Sequence, residues 1–263
     1  VKKTAKRNRS SNAASIGKAF RISTELVAAV VVGSTIGYLL DNWFDTKPLL
    51  TISFFMIGVA AGLADNGYNV FTVTFAPFQT LRCLDQIKVN LAYSNIKVTM
   101  TGLASGLING PLGNTHCCME DVGALRSIPN LTILSPADGV GIVKAVFASA
   151  ESDQPIFIRL TGGSNNPIVY HDDINFQIGE AIEIETGNDL TIFATGTMVF
   201  YSLQAAKIMA QKGISASVWD MHTIKPIDKL AIEDSCNSEL IVSVEEHNVI
   251  GGLGSAIAEH KSS

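Results

Sequence analysis

The sequence predicts an α/β fold: two parallel-sheet three-layer α/β units preceded by a two-helix transmembrane hairpin. Two charge-free apolar runs, 26–40 and 48–64, are joined by a short polar turn near the N-terminus. From residue 69 onward, short β-branched runs alternate with longer helix-period stretches, the rhythm of a parallel sheet covered on both faces. That rhythm restarts after a polar, proline-containing crossover at 165–177, which divides the chain into 1–64, 65–164 and 165–263.

Charge separates the parts further. Residues 1–47 hold eight Lys/Arg against three Asp/Glu, and residues 48–263 hold eleven against twenty-one, so the net charge of −5 hides a basic head on an acidic body. A basic head on an acidic body suggests a membrane-surface or nucleic-acid contact for the head alone, and no nucleic-acid partner is expected for the acidic body. The hydrophobic fraction of 47% is high for a wholly soluble chain, and the excess lies near the N-terminus. Four cysteines (Cys83, Cys117, Cys118, Cys236) lack paired metal spacing and read as free thiols of a reducing compartment. The first residue is Val1, an alternative start or a cut end.

In the hairpin, seven basic residues precede the first acid, Glu25, and the uncharged run 26–40 follows. The second run, 48–64, is 17 residues, about 26 Å as a helix against a hydrocarbon core of about 30 Å. Trp43 in the turn sits where an interfacial aromatic belongs, and the Lys/Arg cluster holds the N-terminus inside. This reading puts residues 26–64 in the bacterial inner membrane and the α/β units in the cytoplasm. Gly33 and Gly37 form a GxxxG step that lets another helix approach, or are simply small residues of an apolar helix. Two buried helices of a soluble domain are the alternative account.

The first α/β unit reads as strand 69–75, a helix begun by Pro77 and running to about 93, strand 97–101, a short helix near 120–126, strand 131–134, helix 138–151 and strand 156–160. Sites in such sheets lie where strands end. Phe75 and Phe78, at the end of the first strand, can stack on a flat heterocycle or plug the core. The glycine-rich stretch 102–119 is long for a compact domain, as binding loops are, and it carries His116. A lone histidine is often structural, but on such a loop it is well placed as acid, base or hydrogen-bond donor. Arg159 closes the last strand, where it meets either an anionic substrate group or a partner carboxylate.

The second unit repeats the pattern through 178–185, 190–196, helix 198–212, 214–221, a short helix after Pro226, 240–247 and a helix from Leu253. Gly251, Gly252 and Gly254 before that helix admit two readings, a phosphate cradle or tight turn geometry. A Rossmann nucleotide-binding protein rests only on this cluster and the α/β rhythm.

The segments GVAAGLADNGYNVFTVTFAPFQTLRCLDQI, GNTHCCMEDVGALRSIPNLTILSPADGVGIVKAV and PIFIRLTGG resemble the pyrimidine-binding domain of the transketolase family, as found in split C-terminal subunits. MHTIKP and SVEEHNVIGGLGSAIAEH resemble that family's C-terminal domain, with His247 toward the active-site side. The resemblance implies thiamine diphosphate-dependent ketol transfer between sugar phosphates. It also implies an N-terminal transketolase-like subunit as partner in a homo- or hetero-oligomer, that partner holding Mg²⁺ and the diphosphate. On it, Phe75 and Phe78 pack on the aminopyrimidine, His116 faces the substrate as the catalytic candidate, and Arg159 binds the sugar phosphate. The family's domain continues beyond the equivalent of Ser263 by a strand and a helix.

Separately, KAFRISTELVAAVVVGSTIGYLLDNWF with a second helix ending GVAAGL resembles the ATP synthase protein I family of small two-helix membrane proteins. That resemblance implies the alternative function, a membrane-anchored assembly factor carrying a passive α/β domain. The two resemblances meet at GVAAGL. In the transketolase family a Glu five residues before the glycine matching Gly58 protonates the cofactor's pyrimidine nitrogen; here that position is Ser53. A serine hydroxyl does not take that role, so the chain is expected to be impaired. Leu112 replaces the acidic or polar residue usual before the THxxxED histidine, and substrate identity stays open.

Overall fold

A computed structural model of the chain describes residues 24, 27–28, 30–163, 165–235, 238 and 240–262, and within these it leaves out the side chains of Leu49, Leu50, Ser53 and Ile57. The chain forms two compact units, Val1–Val70 and Phe71–Ser263. Of the four cysteines, Cys83, Cys117 and Cys118 are free thiols, and Cys236 lies outside the described residues.

In the first unit, helix α1 (30–44) turns at Asp45 into helix α2 (Leu49–Asp65). The turn is fastened by the buried Asp41 carboxylate, which accepts from the Thr46 hydroxyl at 2.8 Å and from the Thr51 backbone N–H at 2.8 Å. That carboxylate satisfies a first-turn donor of α2 that would otherwise be orphaned. Gly33 allows the helices to approach: a Cβ there would stand 2.6 Å from the Phe54 carbonyl oxygen. A helical hairpin therefore forms, and the further expectation that it is transmembrane draws no support from its helices. Among the described residues no helix is long and apolar enough to cross a membrane. The 17 residues of α2 span about 26 Å, short of a hydrocarbon core of about 30 Å.

The second unit starts with β1 (Val70–Phe75), α3 (Ala76–Gln79), a 3₁₀ turn (Leu81–Cys83), a single turn α4 (Leu84–Gln86) and a π turn (Ile87–Tyr93). Sequence periodicity predicts one continuous helix here. The buried Thr80 divides it, because its hydroxyl bonds back to the Ala76 carbonyl at 2.7 Å while its own backbone leaves the helical region. The chain continues through β2 (Val98–Ser105), α5 (Asp121–Arg126), β3 (Thr132–Leu134), α6 (Gly139–Glu151) and β4 (Ile156–Thr161). It then forms β5 (Ile182–Glu185), β6 (Leu190–Ala194), α7 (Met198–Ala210), β7 (Ala216–Asp220), β8 (Thr223–Lys225), α8 (Lys229–Asp234), β9 (Leu240–Val244) and α9 (Leu253–Lys261).

Two sheets result, in the orders β1-β2-β4-β3-β8 and β5-β7-β6-β9. Both are mixed, which corrects the expectation of purely parallel sheets. Strands β2, β3 and β4 run parallel, but β8 closes the first sheet antiparallel to β3. In the second, β6 is parallel to β7 and β9, and β5 lies antiparallel on β7. Antiparallel edge strands on mainly parallel sheets are common in α/β folds. Ile156, Ile158, Leu134 and Ala145 fill one core, and Phe193, Met221, Ile232, Leu253 and Ile257 another. The crossover 165–177 is tied between the sheets. Asp138, the N-cap of α6, accepts from the backbone N–H of Val169 and Tyr170 at 2.8 Å, and the Tyr170 hydroxyl donates to Asp220 at 2.8 Å.

Candidate functional site

At the C-terminal end of β1, Phe75 caps α3 and Pro77 opens its first turn, where a missing N–H costs nothing. Phe78 follows one turn on, with its ring edge-on to Phe75 at 5.9 Å between centroids. The neighbouring strand β2 ends in a bulge, with its register shifting between Gly102 and Ser105 and Ala104 at φ 51°. A non-glycine residue in the left-handed region stores strain of the kind found where a strand delivers a functional loop. Beyond it, a 3₁₀ turn (Gly110–Thr115) ends at His116, whose ring lies edge-on to Phe75 at 5.3 Å and to Phe78 at 5.1 Å.

Three of the sequence-predicted site residues, Phe75, Phe78 and His116, thus converge into one aromatic cluster. All three are half-buried, so their rings stay accessible. The Thr115 hydroxyl engages His116 Nδ1 at 3.0 Å, which leaves Nε2 as the nitrogen placed to exchange a proton. Arg82 stacks its guanidinium 4.0 Å over the Phe78 ring and donates to the Thr115 carbonyl at 3.1 Å, bracing both ends of the cluster. Beside it opens a cleft of about 230 Å³ lined by Pro77, Leu81, Arg82, Thr115, Cys117 and Glu120.

Arg159 belongs to a different network. It is 1% exposed, its Nε donates to Asp121 Oδ2 at 2.8 Å, and its Nη2 donates to the Glu246 carbonyl at 2.7 Å. Asp121 is fully buried, and its second oxygen, Oδ1, has no hydrogen-bond partner; it stands 3.9 Å from His247 Nε2. His247 holds its Nδ1 against the Asn248 carbonyl at 2.8 Å, and its Nε2 accepts from the Gly123 N–H at 3.3 Å. The network crosses from β4 and α5 into the loop after β9, joining the two sheets. Ser53 lies in α2, in the other unit, and its side chain lies outside the described residues.

Two further acids near these loops are already engaged. Glu246 Oε1 accepts from the Leu107 N–H at 2.6 Å, and Glu120 Oε2 accepts from the Met119 N–H at 3.0 Å. A larger cleft, about 420 Å³, lies among Ile108, Gly162, Asn166, Thr197, Tyr201 and Glu246. The Gly251–Gly254 turn holds no open anion cradle. The N–H groups of Leu253 and Gly254 donate to the Glu245 carboxylate at 2.7 and 2.9 Å, so the α9 N-terminus is filled from within the chain. Burial pushes the Cys118 thiol up to about 11, with the Asp121 carboxylate adding to the shift, so this cysteine is not a nucleophile near neutral pH. Among the described residues, no three His, Cys, Asp or Glu side chains converge as a metal site.

Sequence reasoning does not single out Arg82 or Asp121. Asp121 closes the THxxxED pattern, the available signal for it. Arg82 falls in a segment whose periodicity suggests an unbroken helix, and nothing in the sequence points it at the cluster.

Comparison with known proteins adds independent information. Residues 54–166 match the transketolase pyrimidine binding domain and residues 179–263 the transketolase C-terminal domain. Residues 16–72 match a family described as an F0F1-ATPase subunit and Ca²⁺/Mg²⁺ transporter, which overlaps the first match over 54–72. The chain is 39% identical over 205 residues to an apulose-4-phosphate transketolase subunit of Phocaeicola vulgatus, covering 77% of this chain and 65% of that one. It is 41% identical over 207 residues to the 6-deoxy-6-sulfo-D-fructose transketolase subunit SqwH of a Clostridium species, covering 78% and 63%. Human transketolase is 34% identical over 208 residues, which is 33% of its length. The chain therefore spans a little under two thirds of the curated bacterial subunits it matches. Among solved structures, a split-gene transketolase described as an inactive β4 tetramer superposes with a TM-score of 0.73 at 37% identity, covering 80% of this chain and 68% of that one. A Campylobacter jejuni transketolase superposes with a TM-score of 0.60 at 24% identity, covering 74% of this chain and 31% of that one, and supports the fold alone.

Proposed function

Since this chain belongs to the transketolase family, we propose that it is the C-terminal half of a split transketolase, carrying the pyrimidine side of a thiamine diphosphate site. The observation that carries this reading is the convergence of Phe75, Phe78 and His116 at the ends of two adjacent strands. Two half-buried phenyl rings present apolar faces suited to an aminopyrimidine, and the residues present fit that end of the cofactor. When bound, thiamine diphosphate supplies the stabilised carbanion that ketol transfer between sugars requires. Within this chain, Phe75 and Phe78 would hold the ring. His116 would donate or accept a proton at Nε2 toward the substrate.

The Mg²⁺ and the diphosphate belong, on this reading, to an N-terminal subunit, and the substrates are anionic sugars. The names of the relatives support that class, since one acts on a sugar phosphate and another on a sulfonated sugar. The chain lacks the carboxylate that protonates the pyrimidine, because Ser53 takes its place, so ketol transfer is impaired by about 10²–10⁴-fold. Calorimetric titration of thiamine diphosphate and Mg²⁺ into the chain mixed with an N-terminal transketolase subunit tests the reading. Saturable heat supports it, and no heat counts against it. Ser53→Glu is expected to raise turnover of that mixture by about 10²-fold or more; full activity of the unmodified chain would show that Ser53 does not occupy the acid's position.

A second reading concerns the hairpin. Its large exposed apolar side chains, among them Val31, Val32, Leu39 and Met56, together with the match over 16–72, favour attachment to the bacterial inner membrane as an assembly module. Carbonate extraction of a membrane fraction decides it: retention in the pellet supports attachment, and release removes it.

A further inference from the structure

The glycine-rich loop that delivers His116 has little apolar hold of its own. Its large side chains Leu107, Ile108 and Leu112 are 54%, 47% and 55% exposed, so burial does not fix where the loop stands. Its base is closed by a reciprocal pair of backbone hydrogen bonds. The Gly106 N–H donates to the Cys118 carbonyl at 2.8 Å, and the Cys118 N–H donates to the Gly106 carbonyl at 3.0 Å. His116 lies just inside that base, so whatever sets the base in place also sets the imidazole.

One side chain from the other sheet holds it. Glu246 follows closely on the end of β9, and its Oε1 accepts from the Leu107 N–H at 2.6 Å. The same carboxyl group packs on Gly106. A Cβ there would stand 2.5 Å from Oε1, so glycine is required for this contact as well as for the φ of 81°. Hydrogen bonds to a carboxylate are shorter than neutral ones and about twice as strong. The carboxylate is itself carried on a fixed segment: the Glu246 carbonyl accepts from Arg159 Nη2 at 2.7 Å, and Asn248 Nδ2 donates to the Met119 carbonyl at 2.8 Å. The neighbouring Glu245 faces the other way, with its two oxygens on the N–H groups of Leu253 and Gly254.

We propose that Glu246 is a positioning residue for His116: from the second sheet it sets, through Gly106 and Leu107, where the loop holds the imidazole against Phe75 and Phe78. Precise placement matters because a misplacement of about 1 Å can cost about 10²-fold in rate. This role rests on the ketol-transfer reading for what His116 does once placed. The clamp itself is measured in the chain without cofactor or partner, so its failure is distinguishable from a failure to bind thiamine diphosphate.

The test is NMR of the full chain and of variants, following the His116 ring resonances and hydrogen exchange at the Leu107 amide. Glu246→Ala should shift the His116 ring and speed exchange at Leu107 by about tenfold or more. Glu246→Gln keeps an oxygen within reach and should restore the His116 resonances with most of the protection. Glu246→Asp keeps the charge but withdraws it by one methylene, and should resemble Glu246→Ala. A merely structural carboxylate would follow charge rather than reach, and the last two variants make that comparison even where Glu246→Ala fails to fold. Glu245→Gln should leave His116 in place. A His116 ring unmoved in Glu246→Asp, Leu107 exchange unchanged there, Glu246→Gln no better than Glu246→Asp, or an equal shift in Glu245→Gln would each overturn the proposal.

Discussion

Arg159 carries a full charge where water does not reach, and its stability rests on two contacts from other elements, the Asp121 carboxylate and the Glu246 carbonyl. Replacing it by Met leaves Asp121 buried without its partner, and removal of one member of a buried pair typically costs about 3–5 kcal/mol. Urea unfolding of Arg159→Met should show a loss of that size; a loss under about 1 kcal/mol would mean that Asp121 finds compensation elsewhere. A second pair of buried groups titrates in opposite senses. Burial, reinforced by the Asp138 carboxylate and opposed by the Tyr170 hydrogen bond, pushes Asp220 up from 3.8 to about 7. Burial pulls His222 down from 6.5 to about 4, partly offset by the Asp228 carboxylate and the Glu180 backbone. The folded chain binds a proton at Asp220 that the unfolded chain lacks between about pH 4 and 7, so this contribution is present below pH 4 and lost as pH rises to 7. For His222 the sense reverses: its contribution is present above pH 6.5 and lost as pH falls toward 4. The two nearly cancel in the parent chain. Asp220→Asn should therefore leave stability rising from pH 4 to 6.5, and His222→Phe should leave it falling over pH 4 to 7, as followed by urea midpoints across that range. Parallel profiles for the two variants would contradict both assignments.

The turn before α9 shows how an element is held by its neighbours. Gly251 has φ 77°, and a Cβ there would stand 2.7 Å from the Gly123 Cα, so the turn needs glycine both for its dihedral and for the backbone that abuts it. Gly251→Ala is expected to destabilise the chain by more than about 1 kcal/mol, read as a lower thermal midpoint. Glu245→Gln removes only the charge at the α9 N-terminus and is expected to cost about 0.3–1 kcal/mol. Periodicity and strand-end logic made much at this level legible. The strands at Val70–Phe75 and Ile156–Thr161, and the helix at Gly139–Glu151 behind the Asp138 N-cap, follow from pattern and capping residues. The three residues of β8 did not stand out, because a strand that short has no period and its place is chosen by pairing with β3, about 90 residues earlier in the chain. The break at Thr80 was also illegible, since helix propensity does not reveal a hydroxyl turned back onto its own backbone.

For the molecule as a whole, the aromatic site was readable because Phe75 ends β1, Phe78 follows in α3, and His116 lies on the loop that leaves β2, the end of the sheet where α/β folds place their ligands. A partner carboxylate was one of two readings of Arg159, but which carboxylate was not readable. Its partner lies 38 positions away and is selected by how α5 packs on the sheet, a tertiary choice with no local signature. The hairpin's helices follow from two apolar runs, while among the described residues no helix is long and apolar enough to cross a membrane. The overlap of two family matches over 54–72 coincides with GVAAGL, a segment apolar enough to end one module and begin the other. On the proposed function, Phe75, Phe78 and His116 form one half of a cofactor site. Calorimetry of thiamine diphosphate with Mg²⁺, titrated into this chain together with an N-terminal transketolase subunit, addresses that site alone. Saturable binding that is lost in a Phe75→Ala, Phe78→Ala double variant is the expected result. Absence of heat with a folded, associated partner, or binding indifferent to both phenylalanines, would contradict it.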